Sequence, residues 1–181
     1  TKPVTISPDP IYRALHYVND TCSYVSDSFL NHGLQTLCDI GLLVLHLSSS
    51  TAQPTVITPP PPQYKAYMNT IVTRIIDVIE EDDDADVVSQ AFNILDTLME
   101  HGGAGILPFE DESAIKQFYE AITNILSEQA PCFFKDEFKD DRSESGQAAL
   151  EAACIFLGNY AHWLGPRFAV EVLTDDIYNK L

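Results

Sequence analysis

Along most of this chain apolar residues return at steps of three and four, and no stretch alternates apolar and polar in the manner of a strand. That periodicity confines the fold to packed helices. The pattern is sharpest over residues 84–102, where Val88, Ala91, Phe92, Leu95, Leu98 and Met99 share one face of a helix. Ser89, Asn93, Asp96 and Glu100 fall on the opposite face. Six carboxylates, Glu80, Glu81, Asp82, Asp83, Asp84 and Asp86, stand in front of this helix, and Gly102-Gly103 stops it. The stretch reads as the second helix of a packed pair with an acidic turn before it.

The same unit recurs on both sides. Asp9-Pro10 reads as a helix start, with Asp as N-cap and proline at the first helical position, before a stripe of Ile11, Leu15, Val18, Cys22 and Val25. A second helix is expected from about residue 27 to residue 46, with Leu30, Leu34, Leu37, Ile40 and Val44 apolar. Its polar side carries Asn31, Gln35 and Asp39, with His46 further on. Residues 48–62 are rich in Ser, Thr and Pro, and a run of four prolines favours extended polyproline II. This segment is read as a spacer loop ahead of an SH3 or WW ligand. The next helix has Tyr64, Met68, Ile71, Val72, Ile75 and Ile79 on one face, widened by Tyr67, Ile76 and Val78, so it is expected to be largely buried.

After the glycines, residues 108–111 lead into a helix with Ile115, Phe118, Tyr119, Ile122, Ile125 and Leu126 at helical spacing, ending before Pro131. Residues 135–146 form a charged loop whose acids are Asp136, Glu137, Asp140 and Asp141, with Ser143 or Ser145 as the expected cap of the following helix. That helix is expected to bury Leu150, Ala153, Cys154, Leu157, Ala161 and Leu164 and to end at Gly165-Pro166. A last helix then begins, with Phe168, Val172, Leu173 and Ile177 apolar.

The fold class expected is therefore all-α, a solenoid spanning residues 1–181 in three antiparallel helix pairs plus the first helix of a fourth. The repeats fall at approximately 9–47, 62–103 and 111–165, with a further one starting over 166–181. Their spacing exceeds the roughly 40–47 residues of a HEAT or armadillo unit, and the proline loop and the acidic loop account for the excess. The last helix has no partner, so the chain is expected to be a fragment of a longer protein.

Charge narrows the function. Ten Lys and Arg against 27 Asp and Glu give a net charge of −17. Binding nucleic acid through its phosphates needs clustered cations, so direct nucleic-acid binding is not expected. A basic partner, or simple solubility, fits better. The longest apolar run, residues 40–47, is too short for a membrane span and is interrupted by Gly41 and His46, so no membrane insertion is expected. Thr1 begins no signal-like segment. Cys22, Cys38, Cys132 and Cys154 are widely spaced, as expected of buried thiols in a reducing compartment.

Little catalytic chemistry is on offer. The five histidines form no HExxH or HxH, and His46 and His101 stand near helix C-termini, where imidazole complements the helix dipole. The acidic run does not match the spacing of an EF-hand loop. Residues 102–105 lack the lysine of a phosphate loop. Trp163 and Tyr160 read as packing residues. No enzyme, cofactor or metal site is expected.

What remains is surface. If the second helix of each pair faces inward, the polar stripes align as Asn31, Gln35, Asp39, then Asn93, Asp96, Glu100, then Gln147, Glu151 and His162. Carboxylates and amides in such a row suit an extended Lys- and Arg-rich peptide. The alternative is that these are only the solvated sides of amphipathic helices.

A family likeness bears on that choice. It rests on Asp86-Val87-Val88-Ser89-Gln90-Ala91-Phe92-Asn93-Ile94-Leu95 and on Ile125-Leu126-Ser127-Glu128-Gln129-Ala130-Pro131-Cys132, the latter followed by an acidic insertion. These stretches resemble the importin-beta (karyopherin) family of nuclear transport receptors, and within it the branch containing importin-4 and its fungal counterparts. The resemblance covers the last two-thirds of the chain. It implies a HEAT-repeat superhelix that carries basic cargo, histones and ribosomal proteins in that branch, through nuclear pores. It further implies contact with FG nucleoporins, release of cargo by Ran-GTP, and shuttling between cytoplasm and nucleus. The other expectation is a HEAT-repeat scaffold subunit of a phosphatase or adaptor complex with no transport role.

Overall fold

A computed structural model describes residues 27–49, 62–107, 111–134 and 146–172. The expected first helix, the proline loop and the body of the acidic loop with Asp136, Glu137, Asp140 and Asp141 lie outside the described residues, as do residues 173–181. Among the described residues the structure is helical, with no strand. Five α-helices follow in order: α1 Asp27–Ser49, α2 Pro62–Glu81, α3 Ala85–Gly102, α4 Glu112–Leu126 and α5 Gln147–Glu171. Two 3-10 turns, Ala104–Ile106 and Pro131–Phe133, follow α3 and α4.

The helices pack in two rows. α3 lies between α1 and α5, and its packing against these two is the most extensive among the described helices. α2 packs on α4 in the second row, and between the rows α1 touches α2, α2 touches α3, and α4 touches α5. The core lies between the rows. Phe92, Leu95 and Met99 of α3, Ile71, Ile75 and Ile79 of α2, and Phe118 and Ile122 of α4 are all buried there. Each fully buried side chain of this size contributes about 1.5–3 kcal/mol, and together they set which face of each helix points inward.

Local chemistry explains the helix boundaries. Pro62 opens α2, at a position whose backbone N–H has no helical partner to lose. The expected apolar face of α2 is buried in full from Met68 to Ile79. The turn between α2 and α3 is only residues 82–84, and a link this short makes the two helices antiparallel neighbours. Asp84 is the N-cap of α3, its carboxylate accepting from the backbone N–H groups of Asp86 and Val87. Asp82 accepts from the N–H of Asp84 at 2.9 Å. Asp111 caps α4 in the same way, through Ser113 and Ala114.

At the end of α3, Gly103 takes φ 66° and returns its N–H to the Met99 carbonyl. The glycine before it leaves no room for a side chain, since a Cβ on Gly102 would lie 2.3 Å from Ile106 Cγ2. α4 ends differently. Glu128 sits at φ 59°, with its N–H on the Ile125 carbonyl and the Gln129 N–H on the Asn124 carbonyl. This is a Schellman turn with glutamate where glycine is the usual residue.

α5 departs from expectation at three points. Its N-cap is Gly146 at φ 83°, with no side-chain cap, rather than a serine. A Cβ there would meet the Phe133 ring at 2.3 Å, so Gly146 and buried Phe133 close the base of the acidic loop together. The helix does not stop at Gly165-Pro166 but runs through to Glu171. A proline inside a helix leaves the carbonyl four residues earlier without its partner. Here that residue is His162, which is exposed, so water can satisfy the carbonyl.

The buried face of α5 is also turned from the expected one. Ala149, Ala152, Ala153, Phe156, Tyr160, Leu164, Phe168 and Val172 are buried, whereas Leu150, Leu157 and Ala161 are half-buried and Cys154 is exposed. The helix is apolar on nearly every side, so spacing alone did not select a face. The aromatic rings decide it. Phe156 lies 5.9 Å from Phe92 and, edge-on, 6.1 Å from Phe118, joining α5 to both rows. Further along, Phe168 meets Tyr119 at 5.3 Å, and the Tyr119 hydroxyl donates to the Leu164 carbonyl.

A candidate binding face on the α1–α3–α5 row

Positions 93 and 100 lie opposite Leu95 on α3, and both Asn93 and Glu100 are exposed. On α1, Gln35 and Asp39 are exposed and joined, Gln35 Nε2 donating to Asp39 Oδ1 at 3.2 Å. On α5, Gln147 and Glu151 are exposed. Asn31 lies within α1, but its side chain is outside the described set. The residues expected to form an inner face therefore fall on the helices of a single row, and Gln35, Asp39, Asn93, Glu100, Gln147 and Glu151 are exposed.

The seam between α3 and α5 engages one of them, Asp96, with residues that were not expected at the face. Asp96 is half-buried, and its Oδ1 accepts from Asn159 Nδ2 at 3.0 Å. Its backbone carbonyl accepts from the Tyr160 hydroxyl at 3.1 Å. Burial pushes the Tyr160 phenol up, and the nearby charges of Asp96 and Glu100 push it in the same direction. Tyr160 and Trp163 are ring neighbours at 5.4 Å, and His162 lies 5.2 Å from Trp163 on the exposed side of the helix. Of the two residues expected to serve packing, Tyr160 is buried, while Trp163 remains 39% exposed. The roles of Asn159 and Tyr160 toward Asp96 were not visible in the sequence. Their partner lies 63 and 64 residues away, beyond any local pattern.

The acidic run 80–86 divides by role. Glu81, Asp83 and Asp86 are exposed. Asp82 and Asp84 hold the turn, as described above. Glu80 belongs to the last turn of α2 and accepts from Gln117 Nε2 of α4 at 2.6 Å. The same nitrogen reaches Asp77 at 3.1 Å, and Arg74 approaches Asp77 at 3.8 Å. A single amide thus bridges two like charges across the α2–α4 contact, which lessens their repulsion.

Cationic groups are held elsewhere. Arg167 of α5 makes a two-pronged pair with Glu112 at the start of α4, at 2.6 and 2.8 Å, and a further bond to Glu171. Arg167 holds the Glu112 carboxyl below the usual glutamate range. Lys116 pairs with Glu120 along α4. His101 Nδ1–H donates to the Thr97 carbonyl, 2.9 Å away in the last turn of α3.

Among the described residues no polar or charged side chain is buried, and no group of three or more His, Cys, Asp and Glu side chains is placed to hold a metal ion. No helix among them is long and apolar enough to cross a membrane, in keeping with the expectation of no membrane insertion. Cys38 and Cys132 are buried free thiols, and burial pushes Cys132 up to about 11. Cys154 is free but exposed, contrary to the expectation that the thiols are buried. Cys22 lies outside the described residues. Compared with family models, with curated proteins and with solved structures, the chain matches none.

Proposed function

We propose that the chain is a section of a HEAT-repeat superhelix in a nuclear import receptor, and that the α1–α3–α5 row is the face that binds basic cargo. The observation that carries this reading is the run of exposed carboxylates on the three helices of one row: Asp39 on α1, Glu100 beside half-buried Asp96 on α3, and Glu151 on α5. Row packing of this kind extends by adding helix pairs and leaves one side of each row open along its length. An extended Lys- and Arg-rich segment lying across the row meets a carboxylate on each helix it crosses. The overall charge of −17 draws such partners in from a distance. The likeness to the importin-4 branch supplies the rest of the reading: histones and ribosomal proteins as cargo, FG nucleoporins and Ran as further partners, and shuttling between cytoplasm and nucleus.

The acidic turn is secondary in this account. Asp82, Asp84 and Glu80 are engaged in holding helices, so exposed Glu81 and Asp86 supply the long-range attraction at that edge. A pull-down from cell extract on the receptor that carries this chain, with and without Ran-GTP, separates transport from a scaffold role. Transport requires that histones or ribosomal proteins are captured and that Ran-GTP releases them. A stoichiometric partner that stays bound in Ran-GTP contradicts transport and favours the scaffold.

A further inference from the structure

The α3–α5 seam has a feature that solvation of an acidic face does not explain. Trp163, the only tryptophan in the chain, stands exposed beside it, although the expected role of this residue was packing. Its ring leans on buried Tyr160 at a 37° tilt, so the indole is seated rather than loose. Tyr160 is in turn bonded to the backbone of Asp96, which brings an indole and a carboxylate to the two sides of one tyrosine. Asn159 donates to Oδ1 of Asp96, and the Asp96 carboxylate, half-buried, stays in reach of solvent. Glu100 follows one turn along α3.

No lysine or arginine among the described residues serves these acids. Arg167 is engaged by Glu112 and Glu171, Lys116 by Glu120, Arg74 lies against Asp77, and Lys65 is on α2 in the other row. Among the described residues, the polar groups at the seam are thus the carboxylates of Asp96 and Glu100, the Asn159 amide, the Tyr160 phenol, the Trp163 indole and His162.

We infer that this seam seats one arginine side chain of the basic partner, its guanidinium stacked on Trp163 and paired with Asp96 and Glu100. This rests on the reading of the row as a face for basic segments. The choice of occupant follows from charge and shape. An aromatic face attracts a cation through its quadrupole. Arginine is planar, more weakly hydrated than lysine, and presents several N–H donors edge-on while its face is stacked. A lysine ammonium satisfies the carboxylates but gains less from the indole.

Because Trp163 is the only tryptophan, its emission reports on the seam alone. The experiment titrates the chain with a dye-labelled peptide of alternating arginine and glycine, and with its lysine counterpart. Anisotropy of the dye measures binding, and indole emission measures occupancy of the seam. The seam predicts that the emission change tracks anisotropy for the arginine peptide. It also predicts that Trp163→Ala weakens that peptide about tenfold, that Trp163→Phe loses about threefold or less, and that Asp96→Asn weakens it several-fold. The lysine peptide should be less sensitive to Trp163→Ala. Asparagine at position 96 can still accept from Asn159, so this variant tests charge without removing the seam contact. If Trp163→Ala unfolds by circular dichroism, the emission titration and the other two variants decide. Binding by anisotropy with unchanged emission and unaffected variants overturns the arginine seat and leaves the basic-partner reading standing. Absence of binding to either peptide overturns both.

Discussion

Glu128 is a single residue held in an unfavourable backbone conformation by its surroundings. At φ 59° its Cβ crowds the following carbonyl, a cost of about 1–2 kcal/mol for an ordinary residue. The turn persists because two backbone bonds and the buried Ala130 fix the chain on either side. Glycine removes the crowding but restores freedom to the unfolded chain, so Glu128→Gly is expected to stabilise by about 0.5–1 kcal/mol. Thermal unfolding checks this, and a lower melting temperature would show that the glutamate makes compensating contacts. At this scale, sequence could reveal only what is local. The entry to α4 was legible as the lead-in at residues 108–111, and the structure adds that Asp111 is its cap. Asp84 was legible only as one acid in a run, since five neighbouring carboxylates hid which of them capped the helix. Gln117 and Asn159 were not legible, because their partners lie on other helices.

At the scale of elements, α2, α3 and α4 matched their expected faces because each has a polar side that forces the apolar one inward. α5 did not, because leucine, alanine, cysteine and aromatic residues surround it. Ring packing then selected Phe156 and Tyr160 over Leu157 and Cys154. Exposed apolar groups remain on the other sides, Ile155 at 55% and Val170 at 78%. The proline in α5 misled for a related reason. A proline usually ends a helix, but here the helix continues with Phe168 and Val172 buried and Tyr119 bonded to the Leu164 carbonyl. If the rings set the phase, truncating them costs more than truncating the leucine that spacing had favoured. Phe156→Ala is expected to lose about 3–5 kcal/mol, while half-buried Leu157→Ala stays well below that. Denaturant titration of both variants checks the order, and equal losses would mean that Phe156 does not set the phase.

For the whole molecule, the helical class followed from periodicity, and the described helices pack in two rows. The row of acids was legible for the same reason, since positions opposite a buried stripe must face outward. What no sequence pattern could supply was the seam, where Asp96 on α3 meets Asn159, Tyr160 and Trp163 on α5. The central claim is that this row attracts and holds a basic segment. Its most direct test is the dissociation constant of a histone-tail peptide for the chain and for Asp96→Lys/Glu100→Lys, measured across salt. The account predicts that affinity falls about tenfold between roughly 50 and roughly 300 mM salt as screening grows. It also predicts that the double variant binds at least about tenfold more weakly at low salt and shows a flatter salt dependence. Binding that is indifferent both to salt and to the two substitutions would contradict the account.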